Sequence, residues 1–443
     1  MSNWQKVKIG DFLFERKGRY KPNDEQIVNL PRIEKIDFSG NFHIGNKDSK
    51  TDMILIKDGD LVISGINVAK GAMGIYSGED VTATIHYSSY TFDSNKINVE
   101  YFKRFLKSSE FIELLNEQVK GGIKTEIKPK HILPLEIQLP DINTQAQIVQ
   151  HFENVEDDIA DVTQEVLKQQ SLLKQLKQTI LQEAIEGKLT AKWRAKNPDI
   201  GTAKELLDQI KTEKEQLVKD KKIKASKLLA PINEDEIPFD IPPSWEWCKF
   251  GEIIYENPRN GYSPKTVDYK TEIKTLKLGA ITQGYFDTTQ IKYLDISIEK
   301  DSFLWLKKGD VLIQRSNSLE HVGMAGIYNL KDTNYIYPDL IMKCQVVQPV
   351  INYFIHKYLV SNFTREYFRN NASGAQQSMP KINQGTVTNL LVPLPPTEEQ
   401  KEIVATIEKL FTICDELESE INQNKTTVQT IMATVLKEAF EQQ

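Results

Sequence analysis

A helix-like stretch that occurs twice limits what this chain can fold into more than any other feature. From Pro140 to Gly187 the apolar residues fall at Ile148-Val149, Phe152, Val155, Ile159, Val162, Val166, Leu173, Leu176 and Ile180, in steps of four and three. That period describes a helix with one narrow apolar seam aimed at a partner helix. At an offset of 255 residues, without a gap, the pattern returns as Pro395, Gln400, Ile403-Val404, Ile407, Leu410, Cys414, Leu417, Ile421, Val428, Ile431 and Val435. Each copy breaks the seam with an amide at the same place, Gln169 and Asn424. A polar seam residue lowers stability but selects register. Gln169 and Asn424 are therefore expected to be register residues, facing one another if the helices run antiparallel.

The repeat extends beyond the helices. Trp4-x-x-Val7-Lys8-Ile9-Gly10 returns as Trp245-x-x-Cys248-Lys249-Phe250-Gly251. Gly59-Asp60-Leu61-Val62-Ile63 returns as Gly309-Asp310-Val311-Leu312-Ile313, and Gly74-Ile75-Tyr76 as Gly326-Ile327-Tyr328. The order is kept while the offset drifts, as in a duplicated unit whose loops have changed length. Within each unit the Gly-Asp turns open β-branched runs that read as buried strands. Helices are predicted over 102–119 and 353–368, each followed by a Gly-rich loop, at 121–125 and 373–377. The fold class is thus α+β, with two repeated globular domains separated by two long helices. The expected boundaries are 1–142 for the first domain and 143–187 for the central helix, capped by Asn143 and ended by Gly187. A linker with a short charged helix (202–219) follows over 188–244, then the second domain over 245–396. A C-terminal helix over 397–443 opens on the capping box Thr397-Glu398-Glu399-Gln400.

Charge is distributed unevenly over a chain of net −6. The two helix segments carry nearly all the excess acid, net −5 over 143–187 and −6 over 397–443. The first domain is neutral and the second is net +3. The helices should therefore stay off phosphate, whereas the domains permit a local nucleic-acid face. A lysine run at 219–227 is compatible with DNA contact, but a solvated tether is the preferred reading.

Catalytic motifs are missing. No Gly-x-x-x-x-Gly-Lys-Ser/Thr loop, Gly-x-Ser-x-Gly elbow, His-Glu-x-x-His pair or Asn/Asp-Pro-Pro-Tyr/Phe methyltransferase motif occurs. A nuclease core drawn from Pro338-Asp339 and Glu399-x-Lys401 spans too long a gap. Cys248, Cys344 and Cys414 are scattered and the six histidines isolated, so no metal site, disulfide framework or catalytic residue is expected. No run is long and apolar enough for a membrane span and no leader is evident, which leads to a cytoplasmic expectation. The chain reads as a binding protein, not an enzyme.

At this point the sequence resembles the specificity subunit of type I restriction–modification systems. The resemblance covers nearly the whole chain. It rests on Gln314-Arg315-Ser316-Asn317-Ser318-x-x-x-Val322-Gly323, Ser373-Gly374-Ala375-Gln376-Gln377, Pro393-Leu394-Pro395-Pro396-x-x-Glu399-Gln400, Glu186-Gly187-Lys188-Leu189-Thr190-x-x-Trp193-Arg194 and Ile241-Pro242-Pro243-Ser244-Trp245-x-Trp247. It implies two target recognition domains, each reading one half of a split double-stranded DNA site, spaced by the helices packed as an antiparallel coiled coil. It also implies two copies of an adenine methyltransferase subunit as partners, together with restriction/translocase subunits. No cofactor is implied for this chain; S-adenosylmethionine, ATP and magnesium would belong to those partners.

Residue chemistry agrees with such a readout. Asn and Gln bind adenine bidentately and Arg binds guanine in the major groove, and these types gather at Arg315, Ser316, Asn317, Gln376 and Gln377. Lys124, Lys128, Lys130 and Lys381 suit phosphate. In the first unit the matching strand end reads Ser64-Gly65-Ile66-Asn67, which adds Ser64 and Asn67 to the DNA-contact candidates and implies that the two halves read different bases. The acidic helix faces (Glu153, Glu156, Asp157, Asp161; Glu408, Asp415, Glu418) are expected to hold methyltransferase subunits. At about 1.5 Å per residue, a helix from Thr144 to Gly187 is about 66 Å long and is expected to set the spacer between half-sites. The alternative is a coiled-coil scaffold whose duplicated domains bind protein; a further one is an enzyme with an unrecognised motif.

Overall fold

In the computed structural model the two long helices form where the seam period places them, and the globular parts are mixed α and β. The structure describes all residues except 1–3, 47–48, 67–71, 119–126, 227, 332–333, 348–349, 375–378 and 442–443. Two units emerge, Met1–Lys168 with Ile421–Gln443, and Gln169–Glu420. Their borders fall inside the helices, so the helices are not segments separate from the domains: each unit holds part of both.

In the first unit, β1 (Gln5–Lys8) pairs antiparallel with β10 (Glu136–Leu139), so the domain begins and ends in one ribbon. Between them lie two four-stranded sheets. One has the order β2 (Leu13–Glu15), β9 (Tyr87–Phe92), β6 (Leu61–Ser64), β7 (Met73–Ile75). The other has the order β4 (Phe42–Gly45), β3 (Arg32–Ile36), β8 (Val81–Thr84), β5 (Met53–Ile56). Phe12, Phe102, Phe105 and Phe111 form the core with Val149 and Phe152 of α4 (Ile142–Ile185); Val435 of α10 (Thr397–Glu441) packs against it.

The expected helix over 102–119 is two helices, α1 (Val99–Phe105) and α2 (Ser109–Gln118), with α3 (Pro129–Ile132) beyond. The break has a local cause. The Ser108 hydroxyl donates to Phe105 O and accepts from Phe111 N, ending one helix and starting the next. Ser361 repeats the device in the second unit, donating to Tyr358 O and accepting from Thr364 N.

The second unit carries α5 (Ala191–Lys196), the expected charged helix as α6 (Ala203–Lys219), and the ribbon of β11 (Glu246–Lys249) with β19 (Leu391–Leu394). Its four-stranded sheet runs β12 (Arg259–Asn260), β18 (Ile341–Cys344), β15 (Val311–Gln314), β16 (Ala325–Ile327). A three-stranded sheet runs β14 (Ile291–Leu294), β13 (Ile273–Leu276), β17 (Tyr335–Ile336). α7 (Asn352–Leu359), α8 (Asn362–Asn370) and α9 (Gln384–Thr388) complete it. Both Gly-Asp strands, β6 and β15, are buried along their whole length. Gly59 and Gly309 have φ of +79° and +97°, which a side chain disfavours. The aspartate that follows closes each turn, accepting from Lys57 N and Lys307 N respectively.

Helix ends both follow and correct the sequence expectations. Gly187, at φ +70°, closes α4 with both bonds of a Schellman motif: Gly187 N to Ala184 O and Lys188 N to Glu183 O. The cap of α4 is Asp141 rather than Asn143, because the Asp141 carboxylate accepts from both Asn143 N and Thr144 N. These hydrogen bonds hold its pKa below the usual carboxylate range. The box at Thr397 does not form as expected, because Gln400 is used elsewhere. Gln400 is fully buried, accepts from Ile351 N and donates to Pro395 O. Gln145 repeats this in the first unit, accepting from Asn98 N and donating to Pro140 O and Lys96 O. One glutamine per unit thus bolts a helix to its domain.

In the second unit, Thr190 beyond the end of α4 donates to Glu399 near the start of α10. Lys177, earlier in α4, meets Asp415 and Glu418 further along α10. The two segments are therefore antiparallel there. The seam is only partly covered: Leu173, Ile180, Ile403, Ile407 and Cys414 are buried, but Leu176 and Leu417 are 45% and 41% exposed. Asn424 is exposed and Gln169 half-buried. Asn424, expected to be a register residue, thus faces water; a helix with one neighbour leaves the flank of its seam exposed. No described helix is long and apolar enough to cross a membrane.

Candidate nucleic-acid interface

Strand β15 delivers its C-terminal residues to one end of the four-stranded sheet, where several loops converge. Gln314, its last residue, is fully buried within an otherwise apolar strand. Its carboxamide nitrogen donates to Leu278 O and Thr282 Oγ1, each at 2.8 Å, and its oxygen accepts from Asn317 Nδ2 at 2.8 Å. A buried amide must be satisfied, and satisfying Gln314 fixes the Asn317 side chain. The following loop is held from below by Arg365 of α8, which donates to Val322 O and Glu320 O. Burial pushes the Arg365 guanidinium down to about 10.

Arg315 comes next. Its backbone is pinned on both sides, N–H to Leu340 O and carbonyl from Ile382 N. Its half-exposed side chain has no hydrogen-bond or ion-pair partner among the described residues. Lys381 is exposed and bridges, through its backbone, to both Ser316 and Ser373. Strand end and loop stem thus bring Arg315, Asn317 and Lys381 together around a rigid frame. Two cationic donors and one amide held at a fixed angle have the chemistry suited to a groove edge.

Two site expectations are corrected by burial. Ser316 is fully buried and donates to Pro380 O, so it braces the loop instead of facing a ligand. Ser64 lies 6% exposed at the end of β6 and is likewise a wall residue. Alternation explains both: along a strand end, the neighbour of an outward side chain points inward. Asn67, Lys124, Gln376 and Gln377 lie outside the described residues.

The first unit repeats the frame with a different surface. Gly65 N donates to His86 O and Gly65 O accepts from Ile127 N, the same two braces that hold Arg315. A glycine therefore stands where the second unit has its arginine. Lys128 and Lys130 are both exposed beside this stem.

The forced nuclease core does not exist. Glu399 is fully buried and accepts from Thr190 Oγ1, Arg194 Nε and Trp245 Nε1 at 2.7, 2.9 and 2.9 Å. No group of residues able to hold a metal occurs among the described residues. Sequence reasoning missed Gln314 and Arg365 as orienting residues. A lone glutamine in an apolar strand was the available signal for the first.

Comparison with known proteins places this site in context. Residues 242–424 match the family described as Type I restriction modification DNA specificity domain. The EcoEI type I restriction enzyme specificity subunit of Escherichia coli is 32% identical over 275 residues, covering 60% of this chain and 44% of that protein. The EcoAI specificity subunit of the same species is 26% identical over 481 residues, covering 94% and 79%. A solved chain from work on complex assembly and conformational transition of the type I R-M system has a TM-score of 0.67 at 15% identity, covering 99% of this chain and 97% of that one; this supports the fold. The chain thus spans less than half of the EcoEI subunit's length. The resemblance to type I specificity subunits is borne out as a similarity, with residues 242–424 matching the DNA specificity domain.

Proposed function

We propose that this chain is the non-catalytic specificity subunit of a type I restriction–modification complex and reads a bipartite DNA target, one half per globular domain. The observation that carries the reading is the Arg315 guanidinium, free of described partners beside a fixed Asn317 and an exposed Lys381, inside the stretch matched to a DNA specificity domain. Arg315 and Asn317 read bases; Lys381, with Lys128 and Lys130 in the first unit, meets phosphate. Lys124, Asn67, Gln376 and Gln377 are further contact candidates on the same sequence grounds. The glycine at position 65 supports a different half-site preference for the first domain.

The partners in this reading are two methyltransferase subunits and restriction/translocase subunits, which carry S-adenosylmethionine, ATP and magnesium, in the cytoplasm. The long helices serve as spacer and docking surface. Support for docking comes from apolar side chains left 41–52% exposed on both helix segments of the second unit, at Leu172, Leu176, Ile413 and Leu417. Such side chains on a polar, acidic surface suit a protein partner better than water or DNA. Gln169 and Asn424 remain proposed register positions, the first half-buried and the second exposed.

The test is half-site preference of the chain in complex with its methyltransferase subunits, measured on DNA at several salt concentrations. Arg315→Ala should cost about 1–3 kcal/mol at one half-site and relax discrimination at one base position. Lys381→Ala should weaken all sequences alike and make binding less steep in salt, with a slope lower by about 1. Binding by the wild type that ignores salt would favour the protein-scaffold alternative. Unchanged discrimination in Arg315→Ala would remove Arg315 from the readout.

A further inference from the structure

The rim that presents Arg315 also holds a carboxylate, Asp339, with no cation partner among the described residues, which the readout described above does not use. Strand β12 pairs with β18 through Arg259↔Lys343 and Asn260↔Met342. The chain then continues past the sheet end, with Gly261 N bonded to Ile341 O and Tyr262 N to Tyr337 O. That path brings Ser263 to Asp339. The Ser263 hydroxyl donates to Asp339 Oδ1 at 2.5 Å and accepts from Asp339 N at 3.1 Å. The carboxylate is thereby locked in one orientation. Asp339 is exposed, and its second oxygen, Oδ2, has no partner among the described residues. It is also one residue from Leu340, whose carbonyl accepts from Arg315 N at 2.8 Å. Asp339, in the turn that leads into β18, and Arg315, just beyond the end of β15, therefore lie beside the ends of neighbouring strands at the same end of the sheet, without an ion pair between them.

A free carboxylate beside a DNA-reading arginine is unfavourable in itself, because it must approach a polyanion. It becomes favourable only against a donor. In the major groove the donors are the exocyclic amino groups of cytosine and adenine. Adenine carries its N7 acceptor next to the amino group, and an oxygen with no proton to offer meets that lone pair unfavourably. Cytosine presents N4–H₂ beside a carbon edge. Guanine offers O6 and N7, both acceptors, and thymine O4, an acceptor. A carboxylate with Oδ1 held by Ser263 has Oδ2 as its unengaged oxygen, an acceptor without a proton to offer, which suits the amino donor of cytosine.

We infer that Asp339, oriented by Ser263, is a specificity-determining residue that accepts a hydrogen bond from the N4 amino group of a cytosine in the half-site read by the second domain. The inference rests on the DNA-reading function proposed above. Asp339 selects in two ways: it rewards cytosine, and it repels the acceptor edges of the other bases and the phosphates of misplaced DNA. Ser263 acts through Asp339 and is a positioning residue.

The experiment uses the full chain in complex with its methyltransferase subunits and a library of duplexes randomised over both half-sites, selected for binding. Wild type should show a cytosine preference at one position of one half-site. Asp339→Asn is close in shape and removes the charge; it should reduce that preference by about 10- to 100-fold and leave the other half-site unchanged. Ser263→Ala should reduce it by less and in the same position. Because Asp339 and Ser263 lie at the exposed rim, neither change should disturb the core. If Asp339→Asn binds every sequence more tightly with its base preferences intact, the carboxylate is only a repelling surface charge and the inference is overturned. A preference lost at another base, or no change at all, overturns it as well. A wild-type complex with no sequence preference would instead overturn the parent reading, and is recognised without any variant.

Discussion

Arg194→Ala is expected to destabilise the unit spanning 169–420 by about 3 kcal/mol, the low end of the range for breaking a buried ion pair. Glu399 has no exposed surface, and its side chain is surrounded by three donors from two parts of the chain, the start and body of α5 and Trp245. Arg194 provides the only cation among them, with its side chain 21% exposed. It also donates to Gly187 O and lies over the Trp245 ring at 5.9 Å. Truncation leaves a buried charge with two neutral donors, which costs more than the pair contributed. The double variant Arg194→Ala/Glu399→Gln should recover part of the loss, because the amide keeps the shape and can still accept from Thr190 and Trp245. Denaturant midpoints of wild type, both single variants and the double variant form the required cycle. A loss below about 1 kcal/mol, or a double variant no better than Arg194→Ala, would show that the side chain acts through packing alone.

Acidification should weaken the same unit through His356. This side chain, in α7, is 9% exposed; burial, and secondly the neighbouring Lys357 charge, pushes its pKa down to about 4. In the unfolded chain a histidine titrates near 6.5. Between those values the unfolded chain binds a proton that the folded chain does not, so stability falls as pH falls. The stability attributable to neutral His356 is complete above about pH 6.5, declines from there to about pH 4, and changes no further below. Over that window the loss is on the order of 3 kcal/mol. His356→Gln should flatten this part of the profile while leaving the carboxylate-driven loss at lower pH. Urea unfolding of both proteins at several pH values between 7 and 4 measures it. Parallel profiles would mean that His356 does not titrate as its burial dictates.

Much of the fold could be read from the sequence because the duplication supplied an internal comparison. Helix length, the Gly187 stop and the buried Gly-Asp strands each depend on local pattern, and local pattern is what a sequence displays. The helix breaks at Ser108 and Ser361 were legible in principle, since serine favours caps over helix interiors, but apolar spacing on both sides masked them. Gln400 was read as a seam and capping residue, and Gln145 was not singled out. They accept from backbone groups 49 and 47 residues away, and long-range partners leave no mark on spacing. The site was legible as a cluster and not as a set of contacts. Arg315 and Asn317 emerged from residue type, whereas the inward turn of Ser64 and Ser316 needed the sheet. Asp339 was noticed only as half of a false nuclease motif, because its relation to Ser263 and Arg315 exists in three dimensions alone.

The ribbons that open and close each globular domain have an evolutionary consequence. Gln5 lies opposite Leu139, and Glu246 opposite Leu394, so both ends of each domain meet at one place. Everything between those ends is a closed excursion from a fixed base. A recombination event with crossovers at the two ribbon strands would replace the entire excursion and leave the base intact. The incoming segment must preserve four paired positions, supply the chain groups that the glutamine of the following helix binds, and pack against the helix residues at its base, such as Val149 and Phe152 in the first unit. On the DNA-reading function proposed above, a chain built this way would acquire a new half-site preference by inheritance of one block while its base stayed unchanged.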